Sequence, residues 1–454
     1  MSISPIEYRY GRDAVKSIFS EESKLRHMLS VEKFLAQAEA EQNLIPREAY
    51  IDIENVVDSN AVKVERVREI EAEIRHDVMA IVRALTEKCH DGAGYVHFGV
   101  TSNDIIDTAT ALQIKEFYVY LQDDLSRIQK AMSSLVREHE NSVMLGRTHG
   151  QHASPITFGL KMAVYLSEFN RHVVRVRETR RRILAGKIMG PVGTGAALGD
   201  AALEIQDRVM ELLGLVPENA SSQVVNRDRY VEFLSVINGI VTSLEKVATE
   251  IRNLQRPEIG EVSEFFDVQK QVGSSSMPSK VNPINSENVC SISRLVRSFI
   301  IPEYEGAVTW HERDLTNSAA ERFIIPYVCI LSDHAMVKMA EILETLLVFP
   351  DRMLKNLMDD DFVLSERVVS ELTRAGMPRQ DAHELVREAS MRAQSAHSTL
   401  LRTLRDGGYM KGLPSSVQQE ISDPRSFTGS AARICRRVIE ETMKLNSEKD
   451  GGGT

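Results

Sequence analysis

The sequence predicts an all-α protein of two or three domains, and three observations carry that reading. Proline is absent between Pro46 and Pro155, so helix-forming residues run in amphipathic order without a residue that would remove a backbone donor. Two long apolar seams repeat at helical spacing further on. After Val348 the text changes to shorter helical units parted by Pro350, Pro378, Gly407, Gly408 and Pro414, which marks a small helical domain at the C-terminus. No run of alternating strand residues and no internal repeat stands out.

The first seam interleaves Ile114, Leu121, Ile128 and Leu135 with Tyr118, Leu125 and Met132, the a and d positions of one long helix. The second runs through Phe233, Ile237, Ile240, Leu244, Val247, Ile251 and Leu254 in strict 4,3 alternation. At about 1.5 Å per residue it is a rod of roughly 33 Å. Rods of this kind need parallel or antiparallel neighbours. The periodicity fits a bundle within one chain and a bundle between subunits equally well.

Four breaks interrupt the helical text, and loops carry function disproportionately. Asp91 to Asn103, DGAGYVHFGVTSN, ends in Thr101, Ser102 and Asn103, good N-cap residues for the long helix that follows. Leu145 to Pro155 reads LGRTHGQHASP, and Met189 to Gly199 reads MGPVGTGAALG. Gln271 to Pro283, QVGSSSMPSKVNP, concentrates Gly, Ser and Pro in the manner of a mobile loop. The tail SEKDGGGT is expected to be disordered.

Composition limits the classes of function. At 454 residues with 43% apolar and 26% charged residues, the chain can bury a core without staples. A formal charge of −10 argues against nucleic acid or an anionic membrane as partner. Cys89, Cys290, Cys329 and Cys435 form no CxxC pair, so neither a disulfide framework nor a thiolate metal site is indicated, and a cytoplasmic location fits best. MSISPIEYRYGRD has no apolar signal core, and no stretch approaches a membrane span.

Some clusters suggest chemistry. His149 and His152 stand three apart and could share a helix face, a spacing used by metal ligands, but no neighbouring acid supplies a third ligand and no HExxH is present. Acid–base work by imidazole is the other reading, beside a structural one. Gly273 to Pro283 gathers three hydroxyls, Lys280, Asn282 and turn N–H groups, parts that suit a carboxylate or oxyanion. The residue three before Lys280 is Met277, so an SxxK hydrolase does not fit. In WHERDLTNSAAERF, a helix beginning after Thr316 would put Ser318 and Arg322 on one face, with Arg313 reaching in from its start. Two guanidiniums and a hydroxyl make a phosphate clamp, whereas a solvated charged helix is the plain alternative.

Taken together, GSSSMPSKVNP, RTHGQHA, RHDVMA (Arg75 to Ala80), VHFGVTSNDIIDTA (Val96 to Ala109), SQVVNRDRY (Ser222 to Tyr230) and WHERDLTNSAAER resemble the fumarase/aspartase superfamily. Within it they look like the adenylosuccinate lyase family, and they cover most of the first 325 residues. The resemblance implies three all-helical domains, here 1–100, 101–346 and 347–454, with the long helices of the central one forming a tetrameric core. It also implies active sites shared between subunits, an anionic nucleotide as the small-molecule substrate, and neither cofactor nor metal.

The implied reaction is a β-elimination that splits adenylosuccinate into AMP and fumarate, and likewise cleaves the succinyl-carboxamide ribotide of purine synthesis. By resemblance Ser274 is the base that removes the C–H proton and His149, after Thr148, the acid that protonates the departing nitrogen. Lys280, Asn282, Thr101 and Ser102 would stabilise the charge on the neighbouring carboxylate. His76, within the triplet Arg75, His76, Asp77, would hold the substrate with Gln223. Arg9, Tyr10, Arg313, Ser318 and Arg322 would meet the phosphate. An argininosuccinate-type lyase, a non-catalytic scaffold and a metal-dependent hydrolase are the competing readings. A scaffold has no need of Ser274, Lys280, Asn282, His149 and His76 together.

Overall fold

The computed structural model describes residues 3–267, 276, 277 and 279–448. Ser274 and the end of the glycine-rich tail lie outside them. The chain is all-α and falls into two compact units. The first comprises Met1–Leu125, His172–Leu244 and Ser291–Val337; the second comprises Ser126–Arg171, Glu245–Cys290 and Lys338–Thr454.

In the first unit, α1 (Glu21–Glu41), α2 (Val64–Ile74) and α3 (Asp77–Thr86) precede the first part of α4 (Ser102–Glu138). The second unit holds the end of α4, the hairpin of β1 (Val143–Thr148) and β2 (Gln151–Thr157), and the start of α5 (Phe158–Ile183). Three further long helices are α6 (Asp228–Leu254), α7 (Ile284–Ser298) and α8 (Ser318–Thr345).

Every residue of both apolar seams is buried, from Ile114 to Leu135 on α4 and from Phe233 to Leu254 on α6. Each buried Leu or Ile contributes about 1.5–3 kcal/mol, which is why strict spacing on two rods dominates the fold. Within the first unit the rods meet at aromatic contacts: Phe233 stacks on Tyr118 and meets Phe117 edge-on, both at 6.2 Å. Gln129 of α4 donates to Asn170 of α5 at 2.8 Å, a buried polar pair within the second unit. Helix α8 is long and apolar enough to cross a membrane, yet 67% of its apolar window is buried. Its wholly buried Asp333 accepts from Arg12, so it is a core helix.

The antiparallel hairpin corrects the expectation of a protein without legible strands. Its register pairs Val143 with Thr157 and Thr148 with Gln151, with a bulge between Leu145 and Arg147. The bulge requires Gly146, where an added Cβ would lie 2.4 Å from the Ser154 carbonyl oxygen. Two residues, His149 and Gly150, make the turn, both at positive φ (53° and 74°). That is the backbone of a tight hairpin turn, which matches the twist of the flanking strands. His149 and His152 therefore do not share a helix face: one sits at the turn and the other on β2.

Candidate active site

In the first unit, α8 begins at Ser318, and Arg322 lies one turn further on the same face, as the spacing predicts. Both line a cavity of about 150 Å³ together with Arg313, Asn103, Arg227 and Lys24. Arg313 is aimed by two neutral acceptors: its Nη1 donates to the Asn103 carbonyl at 2.6 Å and to the Gln223 carbonyl at 2.9 Å. Its buried Nε–H has no acceptor among the described residues. Burial, with Arg227 close by, holds the guanidinium below its usual pKa. A buried donor without a partner is costly, and the guanidinium at the cavity wall is a charge-assisted donor for an anion.

A buried relay sets these groups in place. The Asp107 carboxylate accepts from Asn103 (3.3 Å), from the Val225 N–H (2.8 Å) and from Arg227 (2.8 and 3.0 Å). Arg227 reaches on to Glu321 at 2.8 and 3.0 Å, and Glu321 accepts from Asn317 at 2.6 Å. Asn103, Asp107, Arg227 and Glu321 were not legible as site residues. Asp107 and Arg227 are 120 positions apart, and spacing conveys nothing over such a gap.

Arg75 closes α2 in the left-handed conformation, and His76 caps α3. The His76 Nδ1 accepts from the Met79 N–H at 3.3 Å. The His76 side chain is half-exposed. Asp77 accepts from the Val78 N–H at 2.8 Å and from Arg322 at 2.7 Å, so two predicted residues from distant parts of the chain meet.

Thr101 and Ser102 are half-buried at the start of α4. The Asp104 carboxylate accepts from the N–H groups of Thr101 (2.8 Å), Met189 (3.0 Å) and Gly190 (3.0 Å), and pairs with Lys187. Lys187 and Asp104 are both wholly buried. One acidic side chain thus ties the threonine loop to the glycine-rich loop after Lys187. Arg9 and Tyr10 lie elsewhere: Tyr10 packs edge-on against His334 at 5.2 Å, with the Arg9 guanidinium 5.8 Å from its ring. His334 is sixteen residues beyond Ser318 on α8, about 24 Å along the helix. Within one chain, Arg9 and Tyr10 are not brought to Arg313, Ser318 and Arg322.

In the second unit Thr148 and His149 are exposed at the tip of the hairpin. The strand beneath them is held by Arg147, which donates to the buried Glu261 at 2.9 and 2.8 Å. His152 meets Asp360 at 2.6 Å and Ser154 donates to Glu366, so β2 is fixed at two points. Lys280 is exposed and Asn282 half-buried just before α7. The first turn of α7 is capped by a carboxylate from elsewhere: Glu264 accepts from the N–H groups of Asn285 (3.1 Å) and Ser286 (2.6 Å).

A family model described as Lyase matches residues 7–297, and one described as Adenylosuccinate lyase C-terminus matches residues 361–438, where the sequence motifs are silent. Adenylosuccinate lyase of Methanothermobacter thermautotrophicus is 44% identical over 451 residues, 98% of this chain and 100% of the relative. That of Methanocaldococcus jannaschii is 42% identical over 98% of this chain and 96% of its own. Among solved structures, a fumarate lyase from a Mesorhizobium species has a TM-score of 0.87 at 29% identity, covering 95% of this chain and 98% of that one. The 3-carboxy-cis,cis-muconate lactonizing enzyme of Pseudomonas putida also scores 0.87 at 29% identity, covering 97% and 99%. By sequence over 98% of its length and by fold, this chain belongs to the adenylosuccinate lyase family of the fumarase/aspartase superfamily.

Proposed function

We propose that the protein is a C–N lyase that releases fumarate from adenylosuccinate, leaving AMP, and from the succinyl-carboxamide ribotide of purine synthesis. The observation that carries the reading is the cavity at the start of α8, where Arg313, Ser318 and Arg322 converge. Kinship with the adenylosuccinate lyases supplies the reaction.

In this reading Ser274 takes the C–H proton beside a carboxylate and His149 protonates the departing nitrogen. Serine is a poor base, so Lys280 and the loop N–H groups must stabilise its alkoxide while water is kept out. Charge then builds on the carboxylate, for which Lys280, Asn282, Thr101 and Ser102 are the donors. His76 holds the substrate beside Gln223, Arg75, Asp77 and Thr148. The separation of Arg9 and Tyr10 from Arg313 along α8 favours a homotetramer in which several subunits build each site. Three domains, 1–100, 101–346 and 347–454, with the central long helices as tetramer core, belong to the same proposal, as does a cytoplasmic location. No metal or organic cofactor is invoked.

Incubation of the purified protein with adenylosuccinate, followed as fumarate release, tests the reading. Turnover is expected. No turnover, with argininosuccinate or another succinyl compound cleaved instead, would move the protein within the superfamily.

A further inference from the structure

Lys24, the fourth residue of α1, lines the cavity at the start of α8 together with Arg313 and Arg322. It also lines a second cavity of about 160 Å³ whose wall includes Asp77 and Arg322, so its side chain lies between the two. Its neighbours Leu25 and Met28 are buried core residues that fix this face of α1. Yet no carboxylate among the described residues lies within ion-pair distance of its ammonium. Burial and the nearby Arg322 lower its pKa, against the opposing pull of Asp77, Glu71 and Glu21.

The balance of charge at the cavity is informative. Arg227 is held between Asp107 and Glu321, and Arg322 is bonded to Asp77. Among the described residues Arg313 leans only on the neutral carbonyls of Asn103 and Gln223. Two cations, Lys24 and Arg313, therefore line this space without a carboxylate at ion-pair distance among the described residues. A phosphate monoester carries close to two negative charges at neutral pH and offers three strong acceptor oxygens. A carboxylate would match only one of the two cations.

We propose that Lys24 is a further substrate-binding residue, one that contacts the phosphate monoester of the nucleotide and selects for the phosphorylated substrate. The inference rests on the proposed lyase reading and adds to it a residue that no motif marks. The charge and three donors of the ammonium act with Arg313 and Ser318, while Asp77 keeps Arg322 in register.

The test compares wild type, Lys24→Met and Lys24→Arg on adenylosuccinate and on its dephosphorylated nucleoside. Lys24→Met is expected to raise KM for adenylosuccinate by about tenfold, the scale of one lost charge-assisted bond, with a much smaller change in kcat. The same variant should act on the nucleoside within about twofold of wild type, and Lys24→Arg should recover most of the loss. An unchanged KM, or equal loss on both substrates, would overturn the proposal in favour of a structural role. Thermal stabilisation by inorganic phosphate is a readout independent of turnover: wild type should gain and Lys24→Met should not. If phosphate protection depends on Lys24 but wild type cleaves no adenylosuccinate, the anion site stands and the lyase reading fails. If wild type turns over and Lys24→Met behaves as wild type in both assays, the lyase reading stands and the role of Lys24 falls.

Discussion

Arg322 donates through Nη2 to Asp77 across 2.7 Å, joining α8 to the first residue of α3 over 245 positions of sequence. The bond places a guanidinium at the cavity wall with its direction fixed before any ligand arrives. Asp77→Asn removes the charge and keeps the volume, so it tests direction rather than packing. Both groups are partly exposed, which limits the effect to about 1 kcal/mol, roughly fivefold in KM for a phosphorylated substrate. An unchanged KM would show that Arg322 needs no such guide.

The same pair makes a prediction about pH. Burial alone would raise the Asp77 pKa, but the Val78 N–H, Arg322 and Lys24 outweigh it and hold the carboxyl below its usual value. A depressed folded-state pKa gives stability that is present above the ordinary value of about 4 and is lost as pH falls through the lower, folded one. Melting temperatures of wild type and Asp77→Asn should differ at pH 6 and converge on acidification below about pH 4. A constant difference would assign the effect to packing.

His149 stands exposed at the hairpin tip with φ of 53°. Exposure means that His149→Ala removes chemistry without opening a core, so its melting temperature should match wild type. Its kcat should fall at least about 100-fold, the usual scale for a lost general acid. Ser274→Ala should fall by a similar factor. Mixing the two inactive proteins should restore part of the activity if sites draw on more than one subunit. Near-normal rates in either variant would remove that residue from the mechanism, and mixtures that stay inactive would count against shared sites.

The rods were legible because period is local: each seam residue on α4 and α6 is buried where the 4,3 spacing puts it. Ser318 and Arg322 were legible for the same reason, since one helical turn separates them. The hairpin was not. Its strands carry Gly146, Pro155 and several polar residues in place of an apolar alternation, and a non-glycine residue, His149, takes the left-handed position. Nor was the relay of Asp107, Arg227 and Glu321, nor the Glu264 cap on α7, because such partners are fixed by packing and leave no periodic mark. Lys24 fell in the same class. A lone lysine near the start of a helix reads as a solvated charge until the cavity beside it is seen.

Glu39 is wholly buried on α1, and neither carboxylate oxygen has a hydrogen-bond partner among the described residues. One heptad back, Glu32 is satisfied by the N–H and the ring of His97, at 3.1 and 2.7 Å. Burial, with Glu32 next to it, pushes the Glu39 pKa up to about 9. The folded state therefore binds a proton that the unfolded chain, titrating near 4.5, has lost. Stability from this group is present below about 4.5 and declines as pH rises towards 9. Glu39→Gln mimics the protonated form, so its melting temperature should match wild type in mild acid and exceed it progressively up to pH 9, by an amount worth a few kcal/mol. Curves that stay parallel across that range would mean that the carboxyl is ionised and solvated in the folded protein.

Lys187 and Asp104 form an ion pair with no access to water, and Asp104 also receives three backbone N–H groups from two loops. Removing one partner of such a pair leaves an uncompensated buried charge, at a cost of about 3–5 kcal/mol. Lys187→Met should therefore lower the melting temperature sharply. It should also loosen the loops bearing Thr101 and Gly190, seen as faster amide exchange there than in the seam of α4. Asp104→Asn alone should destabilise as well, because it strands the ammonium. The double variant decides what the pair is for: with no charge left to bury, it should be more stable than Lys187→Met. Any remaining loss of turnover in the double variant would then measure how far the Asp104 carboxylate, rather than general stability, holds Thr101 and Ser102 in place. A double variant no more stable than Lys187→Met would mean that the N–H groups of the two loops, not the ammonium, are what Asp104 is there to satisfy.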